Sequence, residues 1–248
     1  MQTGIQVSSF KPILTTAQEV ETAFCQMQNM GCRCVQLQWI DPSVPIAHIA
    51  ECLRKMDITS VSVQDFYEVI RQNSSYYITL NQKTGGRWMC VSRIPERLKT
   101  REGLDAYVQE LRSFQQELDE YGQQLCLHPV AADFTPIDGV DPVEYLLEAM
   151  PELCVCADLY HLHKVGRDLS GWLRRYSGRV CMVHFKDKLG SGAQEQLVPA
   201  GQGDIDWTGV ARACEETGVS YGFVEQERWQ GDPFECLGQA LEWLNAQL

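Results

Sequence analysis

The chain has no long apolar segment, no basic leader and few basic residues, and each absence excludes a class of protein. No apolar run approaches the roughly 18 residues needed to cross a bilayer, so we expect no membrane span. The N-terminus lacks the basic and apolar blocks of a secretory signal, which favours a cytoplasmic location. The 21 Lys and Arg residues are outnumbered by 33 Asp and Glu residues, giving a formal charge of −12. A nucleic-acid partner is therefore unexpected, because phosphate binding needs a basic face.

The sequence also lacks a Cys-x-x-Cys pair, although it has 11 cysteines. An odd number of cysteines in a chain of this size, without a secretion signal, argues against a disulfide framework. The pairs Cys32/Cys34 and Cys154/Cys156 are each spaced by two residues, which places both thiols on one face of a strand. We expect the cysteines to be small apolar fillers of a reduced core rather than zinc ligands.

The chain does contain a repeated alternation of two kinds of segment. Short runs of β-forming residues, typical of buried strands, span 4–8, 32–39, 58–64, 87–92, 124–129, 153–159, 179–185 and 219–226. Helical patterns span 17–29, 46–55, 101–121, 142–149, 169–176, 207–217 and 233–247. Strand–helix units of about 30 residues predict one (β/α)8 TIM barrel over residues 1–248, with a doubly wound sheet as the alternative.

Glycine and aspartate mark the ends of several predicted helices. Gly31, Gly122 and Gly218 fall just past helix ends, where a left-handed cap is usual. Asp206 and Asp232 each precede a helix at the N-cap position. The connections 65–86 and 187–205 are long for a compact domain. They predict either lids that fold over the mouth of the barrel or plain surface excursions, with some helix in the first.

Potential metal ligands stand at the ends of four predicted strands. They are His128, Asp158, His184 and Glu225, and Asp133 lies five residues after His128. If the strands are parallel, all of these groups emerge at one end of the sheet. Two carboxylates, an imidazole and a further His or Asp would suit a divalent cation there.

The alternation of side chains along a strand predicts what lies beneath this end. Cys156 and Cys154 share the face of Asp158, and Cys126 shares that of His128. Met182 likewise lies below His184, and Phe223 lies below Glu225. These residues are expected to fill the interior of the barrel under a polar mouth.

Three motifs carry a resemblance to a known family. Residues 183–187 read Val-His-Phe-Lys-Asp, residues 201–207 read Gly-Gln-Gly-Asp-Ile-Asp-Trp, and residues 224–227 read Val-Glu-Gln-Glu. In this order they resemble the xylose isomerase-like barrels, and more narrowly the sugar phosphate isomerase/epimerase group. That group includes ketose 3-epimerases, hydroxypyruvate isomerases and inosose dehydratases. The match is good from Asp158 onward, whereas the first half of the chain agrees only in architecture.

The resemblance implies a metal site and assigns most of its ligands. Asp158, His184 and Glu225 occupy three of the family's ligand positions, and either His128 or Asp133 completes the set. We favour His128, because it lies on the strand with the parity of the core-facing residues. Such a mixed nitrogen and oxygen set suits Mn²⁺ or Co²⁺, with Zn²⁺ as the alternative.

The resemblance further implies the reaction and the residues that perform it. It implies a divalent-metal-dependent isomerase or epimerase of a small sugar, sugar phosphate or related polyhydroxy carbonyl compound, acting through a metal-stabilised enediolate. Glu225 would transfer the proton, and His128 and Lys186 would assist. The alternatives are a keto-sugar or inosose dehydratase on the same scaffold, and a degenerate non-catalytic sugar-binding barrel.

The remaining expectations concern the substrate and the assembly. The residues expected to contact a carbohydrate substrate are His161, Lys186, Gln36, Glu227 and Arg228. Dimers are frequent in such families, so a homodimer is left open.

Overall fold

The computed structural model describes residues 1–248, and its centre is a closed barrel of eight parallel strands. The barrel strands, labelled in chain order, are β1 Gln2–Gln6, β2 Cys34–Leu37, β3 Thr59–Phe66, β4 Trp88–Ser92, β5 Gln124–His128, β6 Cys154–Asp158, β7 Val180–Phe185 and β8 Tyr221–Val224. Each strand pairs with its neighbours in sequence, and β1 closes the barrel against β8. The predicted (β/α)8 TIM barrel is thereby confirmed, and the doubly wound sheet is excluded.

Ten α-helices surround the strands. They are α1 Ala17–Asn29, α2 Ile46–Lys55, α3 Tyr67–Gln72, α4 Ser74–Thr84, α5 Arg101–Asp119, α6 Pro142–Ala149, α7 Leu159–Lys164, α8 Leu169–Arg175, α9 Val210–Thr217 and α10 Pro233–Ala246. Short 3-10 helices lie at Val7–Ile13, Glu96–Leu98, Ala131–Phe134 and Gly192–Gln194. None of the helices is long and apolar enough to cross a membrane.

The helix ends follow the signals in the sequence. Thr16 caps α1 by accepting a hydrogen bond from the backbone of Glu19, whose side chain bonds back to Thr16. Asp232 caps α10 as predicted, with Pro233 in the first turn. Gly31, Gly122 and Gly218 all have positive φ. This confirms the expected left-handed caps.

The interior of the barrel forms a core separate from the larger one between strands and helices. Its buried members are Cys34, Val61, Trp88, Cys90, Cys126, Cys156, Met182 and Phe223. The predicted layer of Cys126, Cys156, Met182 and Phe223 is therefore confirmed. All 11 cysteines are free thiols. A β-bulge in β7 adds Cys181 between the paired residues Val180 and Met182, and its thiol also reaches Cys126, at 3.6 Å.

Two details of the sequence interpretation were wrong. The first strand ends at Gln6, because residues 7–13 turn into a 3-10 helix. Asp206 does not cap a helix: it accepts a bond from the Thr208 backbone, and α9 begins only after Gly209. The connection 65–86 folds into α3 and α4, which is the second of its two expected forms, an excursion with some helix. Gly85 caps α4, and a Cβ on Gly86 would collide with Asn81.

The connection after β7 is held by a single buried carboxylate, that of Asp187. It contains a small antiparallel hairpin of Asp187–Leu189 with Gln196–Val198. Asp187 accepts five hydrogen bonds, whose donors are the backbone N–H groups of Lys188, Gly201, Gly203 and Ile205 and the indole of Trp207. A Cβ on Gly203 would lie 2.1 Å from this carboxylate, so only glycine allows the approach. The Gly201–Asp206 turn is therefore folded around the buried carboxylate of Asp187.

Candidate active site

Four potential ligands converge at the carboxyl end of the barrel, where TIM-barrel enzymes carry their active sites. His128, Asp158 and His184 stand at or near the ends of β5, β6 and β7, and Glu225 directly follows β8. The Nδ1 atom of His184 lies 3.1 Å from Nε2 of His128, 3.2 Å from Oε2 of Glu225 and 3.9 Å from Oδ2 of Asp158. All four residues are buried. The parallel register thus gathers the strand-end groups as the sequence predicted, and we call them the mouth cluster.

The orientation of His184 is fixed from below. Its Nε2 atom lies 2.5 Å from Oε1 of Gln36, which also accepts a hydrogen bond from Gln6. Because Oε1 can only accept, Nε2 carries a proton and Nδ1 is the atom that faces the cluster. Burial lowers the pKa of His184, but Glu225 and Asp158 outweigh it and raise the pKa above its ordinary value. A hydrogen bond to the distal nitrogen is the usual way in which proteins orient a metal-binding imidazole.

His128, rather than Asp133, belongs to the mouth cluster. Ser92 at the end of β4 contacts Nδ1 of His128 at 3.1 Å, which turns Nε2 toward His184 and to 3.8 Å from Asp158. Asp133 is also buried, but its carboxylate accepts bonds from the backbone of Ile94 and Val130 and lies 3.5 Å from Lys99. It therefore holds a turn, and of the two open candidates only His128 faces the other ligands.

Each carboxylate of the cluster uses one oxygen for structure and leaves the other free of hydrogen bonds. Oδ1 of Asp158 accepts a bond from the backbone of His161 and caps α7, and Oε1 of Glu225 accepts one from the Ser8 hydroxyl. Oδ2 of Asp158 and Oε2 of Glu225 are buried without a hydrogen-bond donor. These oxygens and Nδ1 of His184 all lie within 4.8 Å of one another. Such a donor set fits a divalent cation.

Lys186 is the cation that faces these oxygens from within the chain. Its ammonium lies 3.0 Å from Oε2 of Glu225 and 3.4 Å from Oδ2 of Asp158, which is ion-pair distance without hydrogen-bond geometry to either. It donates a hydrogen bond to Glu227 at 2.8 Å. Burial lowers the pKa of Lys186, but the three carboxylates outweigh it and raise the pKa well above its ordinary value. Lys186 is therefore a fixed positive charge.

The charges around Lys186 also decide the protonation of the ligands. Burial opposes ionisation of Asp158, but Lys186 and the nearby histidines lower its pKa to about 2. Glu225 behaves in the same way: Lys186 and His184 hold its pKa well below the ordinary value despite burial. Burial and the neighbouring His184 lower the pKa of His128 to about 3. At neutral pH the site consequently offers two carboxylates and a neutral His128.

The other predicted substrate residues lie at different depths. His161 is partly exposed, and its Nε2 atom is 3.7 Å from Asp158, so it borders the cluster on the solvent side. Glu227 is partly exposed and binds Lys186, whereas Arg228 is exposed. Gln36 is fully buried beneath His184. It therefore contacts the His184 imidazole, and the substrate contact expected for it stays a prediction.

Three residues of the site were missed in the sequence. Ser8 and Ser92 hold Glu225 and His128, and the Cys156 thiol lies 3.2 Å from Nε2 of His184. Ser92 stands at a strand end, as the recognised ligands do, so its position was the available signal. Serine is common at such positions for many reasons, and only the three-dimensional contact gives this one its role.

The fold and the mouth cluster together define a closed parallel barrel with buried polar side chains at the carboxyl end of its strands. A family model described as xylose isomerase-like TIM barrel matches residues 77–247. The chain belongs to this family, which confirms the resemblance found in the sequence. No curated protein matches the chain.

Solved structures extend the similarity over the whole barrel. A sugar phosphate isomerase/epimerase from Parabacteroides distasonis has a TM-score of 0.81 at 14% identity, covering 99% of this chain and 93% of its own. A 3-keto-D-glucoside 4-epimerase from E. coli has a TM-score of 0.70 at 16% identity, covering 99% of both chains. A probable 3-DHS dehydratase from Bacillus anthracis has a TM-score of 0.75 at 12% identity, with 99% of both chains covered. At these identities the likeness concerns the fold.

Proposed function

We propose that the protein is a divalent-metal-dependent isomerase or epimerase of a small sugar, sugar phosphate or related polyhydroxy carbonyl compound. The observation that carries this proposal is the pair of buried carboxylate oxygens, on Asp158 and Glu225, that have no hydrogen-bond donor and face Nδ1 of His184. Ordinarily such buried oxygens are hydrogen-bonded, and the Lys186 ammonium meets them only at ion-pair distance, so the pair supports a site for a divalent cation. The similar barrels described as an isomerase/epimerase and a 4-epimerase support the reaction class.

Asp158, His184, Glu225 and His128 are the residues that would hold the ion. Mn²⁺ or Co²⁺ suits two carboxylates with two imidazoles, and Zn²⁺ is the alternative. When bound, such an ion supplies Lewis acidity that polarises a carbonyl and stabilises negative charge on its oxygen by several kcal/mol. The Gln36 and Ser92 contacts orient the two imidazoles in advance of ligand binding.

Glu225 is the proposed base. Its pKa lies well below the ordinary value, with Lys186 and His184 outweighing burial, so the carboxylate is ionised at neutral pH. It would remove the proton from the carbon beside the substrate carbonyl and return it to the neighbouring carbon of the enediolate. Lys186, held by Glu227, would donate a hydrogen bond to a substrate oxygen as negative charge develops there. His161 and Glu227 border the side from which a sugar would enter.

The opposite face of the site favours a one-base reaction. An epimerase needs a second group that exchanges a proton from the other side, and this chain has His128 there instead of a second carboxylate. Both ring nitrogens of His128 are already engaged, Nδ1 with Ser92 and Nε2 with His184, which suits a ligand better than a proton acceptor. Isomerisation by Glu225 alone is consequently favoured over epimerisation. The same feature keeps a dehydratase as the second candidate, because one base and loss of water suffice for it.

Elemental analysis of the purified protein tests the proposal. We expect about one Mn, Co or Zn per chain, lost in Asp158→Ala and His184→Ala. His128→Gln should also lose metal, whereas Asp133→Asn, a buried acid outside the cluster, is the matched control and should keep it. Ketoses and inososes incubated with the loaded protein in deuterated water should then gain deuterium. A product lighter by one water would indicate the dehydratase, and a protein that binds no metal after reconstitution would refute the proposal.

A further inference from the structure

Two cations and two aromatic rings form a continuous edge on the side of the mouth opposite β6 and β7. The ammonium of Lys11 lies 4.3 Å from the ring centre of Trp39, Trp39 meets Phe66 edge-on at 6.1 Å, and the guanidinium of Arg93 lies 4.7 Å from the Phe66 ring. Lys11 and Arg93 are exposed, and the rings are half-buried. We call these four side chains the cation–aromatic rim.

Backbone strain marks two of the four rim positions. Trp39 has φ of 57° and Arg93 has φ of 63°, a region that non-glycine residues rarely adopt. Each follows the end of its strand, β2 or β4, so both strained positions lie at the carboxyl end of the barrel. Residues held in this way cluster at active sites and ligand clamps. The indole of Trp39 is further fixed by Asp65, whose carboxylate also accepts bonds from Tyr77 and from the Phe66 backbone.

The segments that carry the rim cations also hold the mouth cluster. Arg93 directly follows Ser92, which contacts His128, and the Arg93 backbone donates a hydrogen bond to the His128 carbonyl. Lys11 lies in the 3-10 helix Val7–Ile13, whose Ser8 donates to Glu225. The rim cations are therefore carried by the same segments that hold His128 and Glu225 in the mouth cluster.

The charge pattern shows what the rim would recognise. Neither Lys11 nor Arg93 forms an ion pair with a carboxylate, in a chain whose formal charge is −12. The mouth cluster has the opposite character, with three carboxylates around one lysine. Free cations stacked on aromatic rings present their N–H groups toward solvent, which suits a phosphate or carboxylate. The mouth is thus cationic at one edge and acidic at its centre.

We propose that the cation–aromatic rim binds the anionic end group of a substrate, a phosphate ester or a carboxylate, while the polyhydroxy carbonyl end lies at the mouth cluster. The position of the polyhydroxy carbonyl end rests on the proposed function, whereas anion binding by the rim does not. Anion binding at the rim narrows the substrate class from small sugars in general to sugar phosphates or sugar acids.

Anion binding to protein stripped of metal by chelation tests the rim by itself. Inorganic phosphate and malonate are titrated calorimetrically into the wild type, Lys11→Gln, Arg93→Gln and Arg87→Gln. Arg87 is the matched control, because it is exposed and stacked on Trp88 at 4.9 Å, but at the opposite end of the barrel. We expect each rim variant to bind at least ~10-fold more weakly and Arg87→Gln to be unchanged. Stronger binding of phosphate would indicate a phosphate ester, and stronger binding of malonate a sugar acid.

The outcomes distinguish the proposal of anion binding by the rim from the proposed function. Equal anion affinity in the wild type and both rim variants would overturn the proposal that the rim binds anions. So would a wild type that binds neither phosphate nor malonate. Anion binding lost in Lys11→Gln and Arg93→Gln, in a protein that never takes up metal, would support the rim and refute the proposed function. Thermal melting of the variants, all at exposed side chains, checks that each is folded.

Discussion

Replacement of Asp187 by asparagine should destabilise the protein by about 2–3 kcal/mol, because its carboxylate organises the whole connection after β7. The side chain is fully buried and accepts hydrogen bonds on both oxygens. Oδ2 accepts from Gly201, Gly203 and Trp207, at 3.0, 3.1 and 2.8 Å. Whichever way the new amide is oriented, two or three of the five donors will face an NH₂ group instead of an oxygen.

The magnitude follows from the number of donors that lose their acceptor. Leaving a buried donor unpaired costs about 1–3 kcal/mol, and we take the lower figure because Gly201 lies near solvent and can be hydrated. Two or three such donors give about 2–3 kcal/mol. For a chain of this length that corresponds to a fall in melting temperature of roughly 4–12 °C.

Urea unfolding and thermal melting measure the loss, and hydrogen exchange locates it. The Gly203 and Ile205 amides should lose protection in Asp187→Asn while those of the barrel strands keep it. Asp204→Asn is the matched control in the same connection, because this exposed carboxylate accepts from Gly190 and should cost under about 1 kcal/mol. A loss in Asp187→Asn no larger than in the control would refute the view that one buried carboxylate organises the segment.

Three further predictions concern the cluster, its supports and the surface. Asp158→Asn should weaken Mn²⁺ or Zn²⁺ binding by at least ~100-fold in a calorimetric titration, and unchanged affinity would exclude Asp158 as a ligand. Gln36→Leu should weaken the same binding by about 10–100-fold by freeing Nε2 of His184, whereas Gln38→Leu, a buried glutamine with no contact to the cluster, should not. Hydrogen bonds from Arg97 lower the pKa of the partly exposed Glu110. Glu110→Gln should therefore cost about 0.5–1 kcal/mol at pH 7, and the cost should vanish as pH falls through the lowered pKa. An acid-unfolding series shows this directly, since a pH-independent difference would contradict it.

The fold and the positions of the candidate ligands were predictable because they depend on short-range patterns. Buried strands leave apolar runs, and glycine or aspartate marks the helix ends, so all eight barrel strands were located to within a few residues. In a parallel barrel every strand delivers its last residue to the same end, which is why the sequence alone was enough to group His128, Asp158, His184 and Glu225. The first strand was displaced because Val7 and Ser8, which were predicted as its end, begin a 3-10 helix instead.

The choice between His128 and Asp133 needed the three-dimensional arrangement, because both are buried titratable residues close to the end of one strand. Only the position of the Ile94 and Val130 amides, which bind the carboxylate of Asp133, turns it away from the mouth. The supports of the cluster were equally hidden. The contact of Gln36 with His184 joins residues 148 positions apart, and the Ser8–Glu225 bond joins residues 217 apart. No local pattern encodes such pairs, which arise when the barrel closes.

The closing of the barrel decides which carboxylates surround Lys186. In the sequence it shares the parity of His184, and Asp187 and Glu227 are both acids with which it could form an ion pair. In the closed barrel the Asp187 carboxylate accepts hydrogen bonds from the backbone of its own connection. Lys186 instead lies among Asp158, Glu225 and Glu227. A lysine in that position lowers the negative charge of the cluster, so it should weaken the attraction for a divalent ion while keeping Glu225 ionised. Lys186→Met should accordingly bind Mn²⁺ more tightly and turn over substrate more slowly, and a variant with weaker metal binding would show that Lys186 organises the ligands instead.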